Sequence, residues 1–181
     1  VFIYVGFAPN TAYLGDKASS HYSTLKQITP RNVVRLQVAW EYRSGDARTN
    51  NLSQIQCNPL IIDSVLYGIT PQLKLMALAA ATGKERWRFD PFAGDEKSAS
   101  GVSRGVVYWA SGDDQRILFP AGRYLHAIDA RTGRPVESFG QGGRVDLREG
   151  LGRDAALLFV TTTTPGVVFE DLLILGTRVS E

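Results

Sequence analysis

Few side chains in this 181-residue chain are able to do chemistry, and their spacing excludes more than it offers. A single cysteine, Cys57, rules out an internal disulfide framework and a multi-cysteine zinc site, and it reads as a small, semi-buried residue rather than a reactive thiol. The two histidines, His21 and His126, lie far apart with no metal-ligand spacing, and His126 alternates with Leu125 in a β-prone run, as a structural or surface residue would. No Ser–His–Asp order, phosphate-binding loop or zinc motif is present. What remains is a set of polar residues at the openings of apolar runs. Gln56 precedes Pro59-Leu60-Ile61-Ile62, and Arg104 stands in Ser103-Arg104-Gly105 ahead of Val106-Val107-Tyr108-Trp109. Four threonines at 161–164 precede Pro165, Thr177 and Arg178 follow Gly176, and Glu181 is the final residue. By type alone, a guanidinium suits a bidentate grip on a carboxylate or a salt bridge between structural units. Gln56 suits a solvated loop, the threonine run is simply β-prone, and the Glu181 carboxylate is the right ligand for a hard cation. Asp146, Arg148 and Glu149 form a further polar cluster between units.

The elements that must position these residues are mostly strands. Residues 1–31 carry no clear period, with loops at Tyr13-Leu14-Gly15-Asp16 and Ser19-Ser20. Thr29 as N-cap with Pro30 at the first helical position predicts a short helix, followed by a strand over 37–42 and a polar loop over 43–54. Two β-prone runs, 59–62 and 65–69, are split by Asp63-Ser64, which predicts a hairpin. A third strand over 74–78, a Thr82-Gly83 turn and a fourth strand over 85–89 complete a unit. The order then recurs: strands over 105–109, 116–119 and 124–128, a Thr132-Gly133 turn, and a weak fourth strand over 136–139. A third copy begins with 164–168, turns at Glu170-Asp171 and continues through 172–175.

That repeat decides the fold class. Ala77-Leu78-Ala79-Ala80-Ala81-Thr82-Gly83 aligns with Ala127-Ile128-Asp129-Ala130-Arg131-Thr132-Gly133 at a spacing of 50 residues, and Trp40 and Trp87 are 47 apart. A period near 40–50 residues with about four strands per unit indicates the blades of a β-propeller, an all-β fold. One blade cannot bury both of its faces alone, so it stacks on its neighbours, and Trp40 and Trp87 suit the surface sandwiched between blades. The chain then holds an incomplete propeller of about two and a half to three blades: a lead-in and closing strand over 1–50, blade one over 51–90, blade two over 101–140 and the start of blade three over 156–181. Composition agrees with a globular domain, 44% hydrophobic and 21% charged. A net charge of +2 is too balanced to argue for nucleic acid or an anionic membrane surface. The longest apolar run, 1–8, is far short of the ~20 residues of a membrane helix. The chain has no initiator Met and no signal-peptide pattern, as expected of a mature chain or one cut from something longer.

The unit Ala77-x-Ala79-x-x-Thr82-Gly83-Lys84-x-x-Trp87 resembles the tryptophan-docking motif of quinoprotein dehydrogenase propellers, with Ala79 where that family usually has Asp. The second copy keeps Asp129 but carries Glu137 where Trp is expected. Tyr13-Leu14-Gly15-Asp16, then His21-Tyr22-Ser23-x-Leu25-x-Gln27-Ile28-Thr29-x-x-Asn32-Val33-x-x-Leu36-x-x-Ala39-Trp40, resembles the opening of the pyrroloquinoline-quinone (PQQ) dependent glucose and alcohol dehydrogenases. Asn58-Pro59-Leu60 and Phe139-Gly140-x-Gly142-Gly143-Arg144-Val145-Asp146-Leu147 are similar to the glucose-dehydrogenase branch, so the resemblance covers 13–181. It implies an eight-bladed propeller with PQQ on its axis and a divalent cation, usually calcium, bridging cofactor and protein. It also implies oxidation of a sugar or alcohol hydroxyl, electrons passed to a quinone or cytochrome, and a periplasmic location.

The same resemblance assigns roles residue by residue. Gln56 matches the position that hydrogen-bonds the cofactor, and Arg104 the arginine that holds a cofactor carboxylate or quinone oxygen. Thr162, or its neighbour Thr164, matches a hydroxyl on a PQQ carboxylate, Thr177 or Arg178 a polar contact to PQQ, and Glu181 a calcium-ligating carboxylate. The family's catalytic Asp and its Lys or Arg partner come from later blades, so no catalytic residue is assigned to this chain, and the chain alone is expected to be inactive. Two departures stand out. Residues 98–103 lack the adjacent cysteines of many alcohol-oxidising members. Gln72 follows Thr70-Pro71 where sugar-oxidising members often have His, which weighs against glucose itself as substrate. The competing reading is a non-catalytic propeller of the same repeat that scaffolds envelope-protein assembly. Such a scaffold has no reason to keep Gln56, Arg104 and a threonine at the start of blade three.

Overall fold

Asp63 and Ser64 both adopt left-handed backbone, φ 47° and 63°, the conformation a two-residue hairpin loop requires to match the twist of its strands. They join β1 (Leu60–Ile62) to β2 (Val65–Ile69), the first pair in a computed structural model that describes residues 12–16, 18–23, 25–48, 53–94 and 101–179. β3 (Leu75–Ala79) and β4 (Glu85–Phe89) continue an antiparallel sheet in simple sequence order. The second sheet repeats the plan with β5 (Val107–Ser111), β6 (Asp114–Ala121), β7 (Tyr124–Asp129) and β8 (Arg144–Asp146). β9 (Val160–Thr161), β10 (Val167–Phe169), β11 (Leu172–Ile174) and β12 (Arg178–Val179) follow; β10 pairs with β11, and β9 with β12. The chain is therefore an incomplete all-β propeller: two four-stranded blades and the opening hairpin of a third.

Period-two alternation decides which face meets which neighbour. Leu60, Ile62, Tyr67 and Leu75 of blade one meet Val106, Ile117, Phe119 and Ile128 of blade two in the largest core. The opposite face of blade one, Leu66, Met76 and Leu78, is covered by Trp40 and Tyr42 of the lead-in. The opposite face of blade two, Val107, Leu118, Leu125 and Ala127, is covered by Val168, Leu173 and Leu175. Each large apolar side chain so buried stabilises the stack by about 1.5–3 kcal/mol. Pro120 lies within the central strand β6, where a missing N–H is normally excluded. It is tolerated because β5 begins opposite Leu118, so beyond that point β6 pairs with β7 alone.

Trp40 and Trp87 are each seated on the Thr-Gly turn of the next unit. A Cβ at Gly83 would stand 2.5 Å from the Trp40 ring, and one at Gly133 would stand 2.6 Å from the Trp87 ring. Trp40 Nε1 donates to Ala80 O at 3.0 Å, and Tyr67 Oη donates to Ala130 O at 3.0 Å. In the second turn, Asp129 Oδ1 accepts from the backbone N–H groups of Arg131 and Thr132 and from the Thr132 hydroxyl, at 2.8–3.0 Å. Ala79 cannot do this in the first. Ala79→Asp is therefore expected to raise stability by about 1 kcal/mol, the usual value of such a cap. A shift of the urea midpoint to higher concentration checks it, and an unchanged midpoint contradicts it.

Three sequence expectations are corrected. The helix is a single 3-10 turn, Val33–Arg35, with Asn32 rather than Thr29 at its N-cap; Asn32 Oδ1 instead accepts from Thr29 N at 2.7 Å. Residues 37–42 form no ladder among the described residues and meet blade one through the Trp40 and Tyr42 side chains. The fourth strand of blade two is Arg144–Asp146, not 136–139. Pro135 makes only an isolated bridge to Ile128, the chain turns at 137–139, and the strand position resumes where Ala127 N donates to Gly143 O.

Candidate functional site

The segments that open the three blades run side by side. Asn58 N donates to Arg104 O at 2.9 Å, and Arg104 N donates to Thr163 O at 2.8 Å. Asn58 and Gly105 form a parallel bridge. Side-by-side pairing of segments 46 and 59 residues apart, parallel at the Asn58–Gly105 bridge, is what radial stacking of blades imposes on their inner edges. Thr162 Oγ1 donates to Gly176 O at 2.7 Å and approaches Thr164 O at 3.2 Å, which ties the third opening to the segment carrying Thr177. Four of the expected residues, Gln56, Arg104, Thr162 and Thr177, thus lie on consecutive hydrogen-bonded segments. Glu181 lies outside the described residues.

The side chains on these segments differ in availability. The Arg104 backbone is held on both sides, yet its side chain is exposed and forms no ion pair or hydrogen bond among the described residues. Gln56 is half-buried and makes no side-chain hydrogen bond there either. Thr162 is buried with its proton turned to the Gly176 carbonyl, so an anion offered to it competes with a backbone acceptor. Thr163, Thr164 and Thr177 are exposed. Donors held on fixed backbone with no internal acceptor can hold an anionic, oxygen-rich group without breaking existing bonds.

Neighbouring groups are structural. Cys57 is buried, Ile69 N points at its sulfur at 3.4 Å, and burial pushes its thiol up to about 12, which leaves it a neutral core residue. His126 is 3% exposed and enclosed by Phe119, Phe89 and Tyr124, and burial, with Arg144 nearby, lowers it to about 4. Asp146 pairs with Arg148 at 2.7 Å and Arg123 at 3.3 Å, so that polar cluster belongs to blade two rather than to a seam. No cluster of His, Cys, Asp or Glu suited to a metal occurs among the described residues.

Two features escape sequence reading. Asp46, 8% exposed, accepts from the Thr70 hydroxyl at 2.6 Å, and its main-chain oxygen accepts from Gln72 Nε2 at 3.0 Å. The lead-in therefore clamps the β2–β3 turn that carries Gln72. Tyr13 also packs on Gly105, beside Arg104. Polar composition around Asp46 marked that stretch only as loop, and no local signal reports either contact.

Comparison with known proteins adds three findings. Residues 10–181 match the family described as glucose/ethanol/alcohol dehydrogenase, beta-propeller domain. The chain is 33% identical over 94% of its length to quinoprotein glucose dehydrogenase A of Acinetobacter calcoaceticus, and 38% identical over 70% to the dehydrogenase subunit of the alcohol dehydrogenase (quinone) of Gluconobacter oxydans. It spans 24% and 16% of those proteins. Among solved structures, quinohemoprotein alcohol dehydrogenase from Comamonas testosteroni superposes with a TM-score of 0.73 at 26% identity, over 94% of this chain and 23% of that one.

Proposed function

Because the chain belongs to the glucose/ethanol/alcohol dehydrogenase β-propeller family, we propose that it forms the first blades of a PQQ-dependent dehydrogenase that oxidises a sugar or alcohol hydroxyl. Its electrons pass to a quinone or cytochrome acceptor. The observation that carries this reading is Arg104, whose backbone is fixed where three blade-opening segments meet and whose guanidinium has no partner among the described residues. PQQ is a planar tricarboxylate with an orthoquinone, and the donor set fits it. Arg104 would grip a carboxylate or quinone oxygen, Gln56 would donate its amide, Thr177 would supply a hydroxyl, Thr162 would do so on leaving the Gly176 carbonyl, and Glu181 would serve a calcium ion. When bound, the quinone supplies the two-electron acceptor. These residues hold and orient it, and the proton-accepting base is assigned to blades beyond this chain.

Among the described residues no helix is long and apolar enough to cross a membrane, and the location proposed is the periplasm. Relatives named for glucose and for alcohols support the coarse substrate class equally.

The test is to load the complete propeller that carries this segment with PQQ and calcium and follow dye reduction across a panel of sugars and alcohols. Oxidation of at least one class is expected. Verified cofactor uptake with no dye reduction on any member would favour the scaffold instead. The 181-residue chain alone, given the same cofactors, is expected to reduce no dye, and clear turnover would overturn that. Arg104→Ala is expected to weaken PQQ binding about 10- to 100-fold, the value of a charged hydrogen bond, as read by quenching of intrinsic fluorescence.

A further inference from the structure

Gly105 is a crossing point. An added Cβ there would stand 3.0 Å from Tyr13 Cδ2, 3.2 Å from Asn58 O and 3.4 Å from Pro165 Cγ. The lead-in, blade one and blade three therefore all press on the residue next to Arg104. Its φ is unexceptional, so the glycine serves close approach rather than a special turn. The lead-in presents Tyr13 from a stretch tied to itself. Gly15 N donates to Ala12 O, Ser19 N to Asp16 O and His21 N to Leu14 O. Asp16 also accepts from Ala18 N, Ser20 N and the Ser20 hydroxyl at 2.6–3.1 Å. Across a cleft from Tyr13 and Asp16 stand Val107 and Tyr108 of blade two and Val168 of blade three. The lead-in thus spans the seam between those blades at the level of the opening segments.

We propose that this lead-in is an axial strap, and that Tyr13, seated on Gly105, is a positioning residue that fixes the Arg104 segment for an anionic cofactor. The inference rests on the PQQ reading above and deepens it. Two backbone hydrogen bonds set the position of Arg104 along the ladder, and the Tyr13 ring prevents the segment from lifting out of it. A binding group held this way loses little freedom when its ligand arrives.

The test is equilibrium PQQ affinity in the complete propeller, with thermal unfolding recorded alongside. Tyr13→Ala is expected to weaken binding about tenfold, the scale on which residues behind a ligating group act. Tyr13→Phe, which keeps the ring, should stay within about twofold of the parent, because the contact is packing and not the hydroxyl. In an Arg104→Ala background, Tyr13→Ala should add less than about a further twofold, as coupled residues do. Should Tyr13→Ala not fold, Tyr13→Val repeats the test with an apolar side chain too short to hold Gly105. Loss with Arg104→Ala but none with Tyr13→Ala overturns the strap and leaves the PQQ reading standing. Fully additive losses also overturn it, because Tyr13 would then act independently of Arg104. An Arg104→Ala variant that binds PQQ normally removes both the strap and the cofactor role of Arg104.

Discussion

Gly133→Ala is expected to unseat Trp87 and part blade one from blade two. Gly133 has φ +73°, and its Cβ would lie 2.6 Å from the Trp87 ring. The left-handed conformation costs about 1–2 kcal/mol for an L side chain, and forcing an overlap in a packed seam about 1–3 more. The flat ring cannot swing aside as the end of a flexible chain would, since it also packs on Tyr67 with centroids 5.8 Å apart. A loss of about 2–5 kcal/mol is the expected sum. Gly112 provides the control: φ is +57° but nothing lies within 4 Å, so Gly112→Ala should show the conformational cost alone, about 1–2 kcal/mol. Urea unfolding of the two variants separates overlap from backbone strain. Equal losses would mean that the tryptophan seat contributes nothing.

The second large effect is acid sensitivity built on His126. Its Nε2 is buried with no hydrogen-bond partner among the described residues, and burial lowers the group to about 4 from an ordinary 6.5. At pH 7 it is neutral whether folded or unfolded. As pH falls below 6.5, the unfolded chain takes up a proton that the folded chain refuses, so stability declines from there to about pH 4 and then levels. Over that window the loss amounts to about 3 kcal/mol at 1.36 kcal/mol per pH unit. Carboxylates held low, such as Asp129 and Asp146, also lose stability in acid, but mainly below about pH 4. His126→Phe matches the surrounding aromatic rings and removes the orphaned nitrogen. Subtracting its stability curve from that of the parent should leave a slope confined to pH 6.5–4. A flat difference would show that His126 titrates normally.

The sequence made most of the fold legible where the signal was local. Asp63-Ser64 announced a hairpin, the Thr-Gly pairs announced both turns, and Trp40 and Trp87 sit between units as their size requires. It failed at β8, whose three residues include a single large apolar side chain and follow a loop with Gly140, Gly142 and Gly143 all at positive φ. It failed also at 37–42, where a strand-like pattern finds side-chain contacts in place of a ladder. The proposed site residues were legible only as positions, since Gln56, Arg104 and the threonines each precede a blade's first apolar run. Their convergence was not, because it depends on backbone bonds between segments 46 and 59 residues apart and on Tyr13 reaching Gly105 across 92 residues. Nothing in a local window encodes contacts at that range.

The blade-opening segments are proposed to form the cradle for PQQ, and a density map of the PQQ-loaded complete propeller would reveal where the cofactor sits. The cofactor is expected over the Asn58–Arg104–Thr163 ladder, with the Arg104 guanidinium about 2.7–3.2 Å from one of its oxygens. Cofactor density elsewhere, or an Arg104 side chain turned away to another partner, would contradict it.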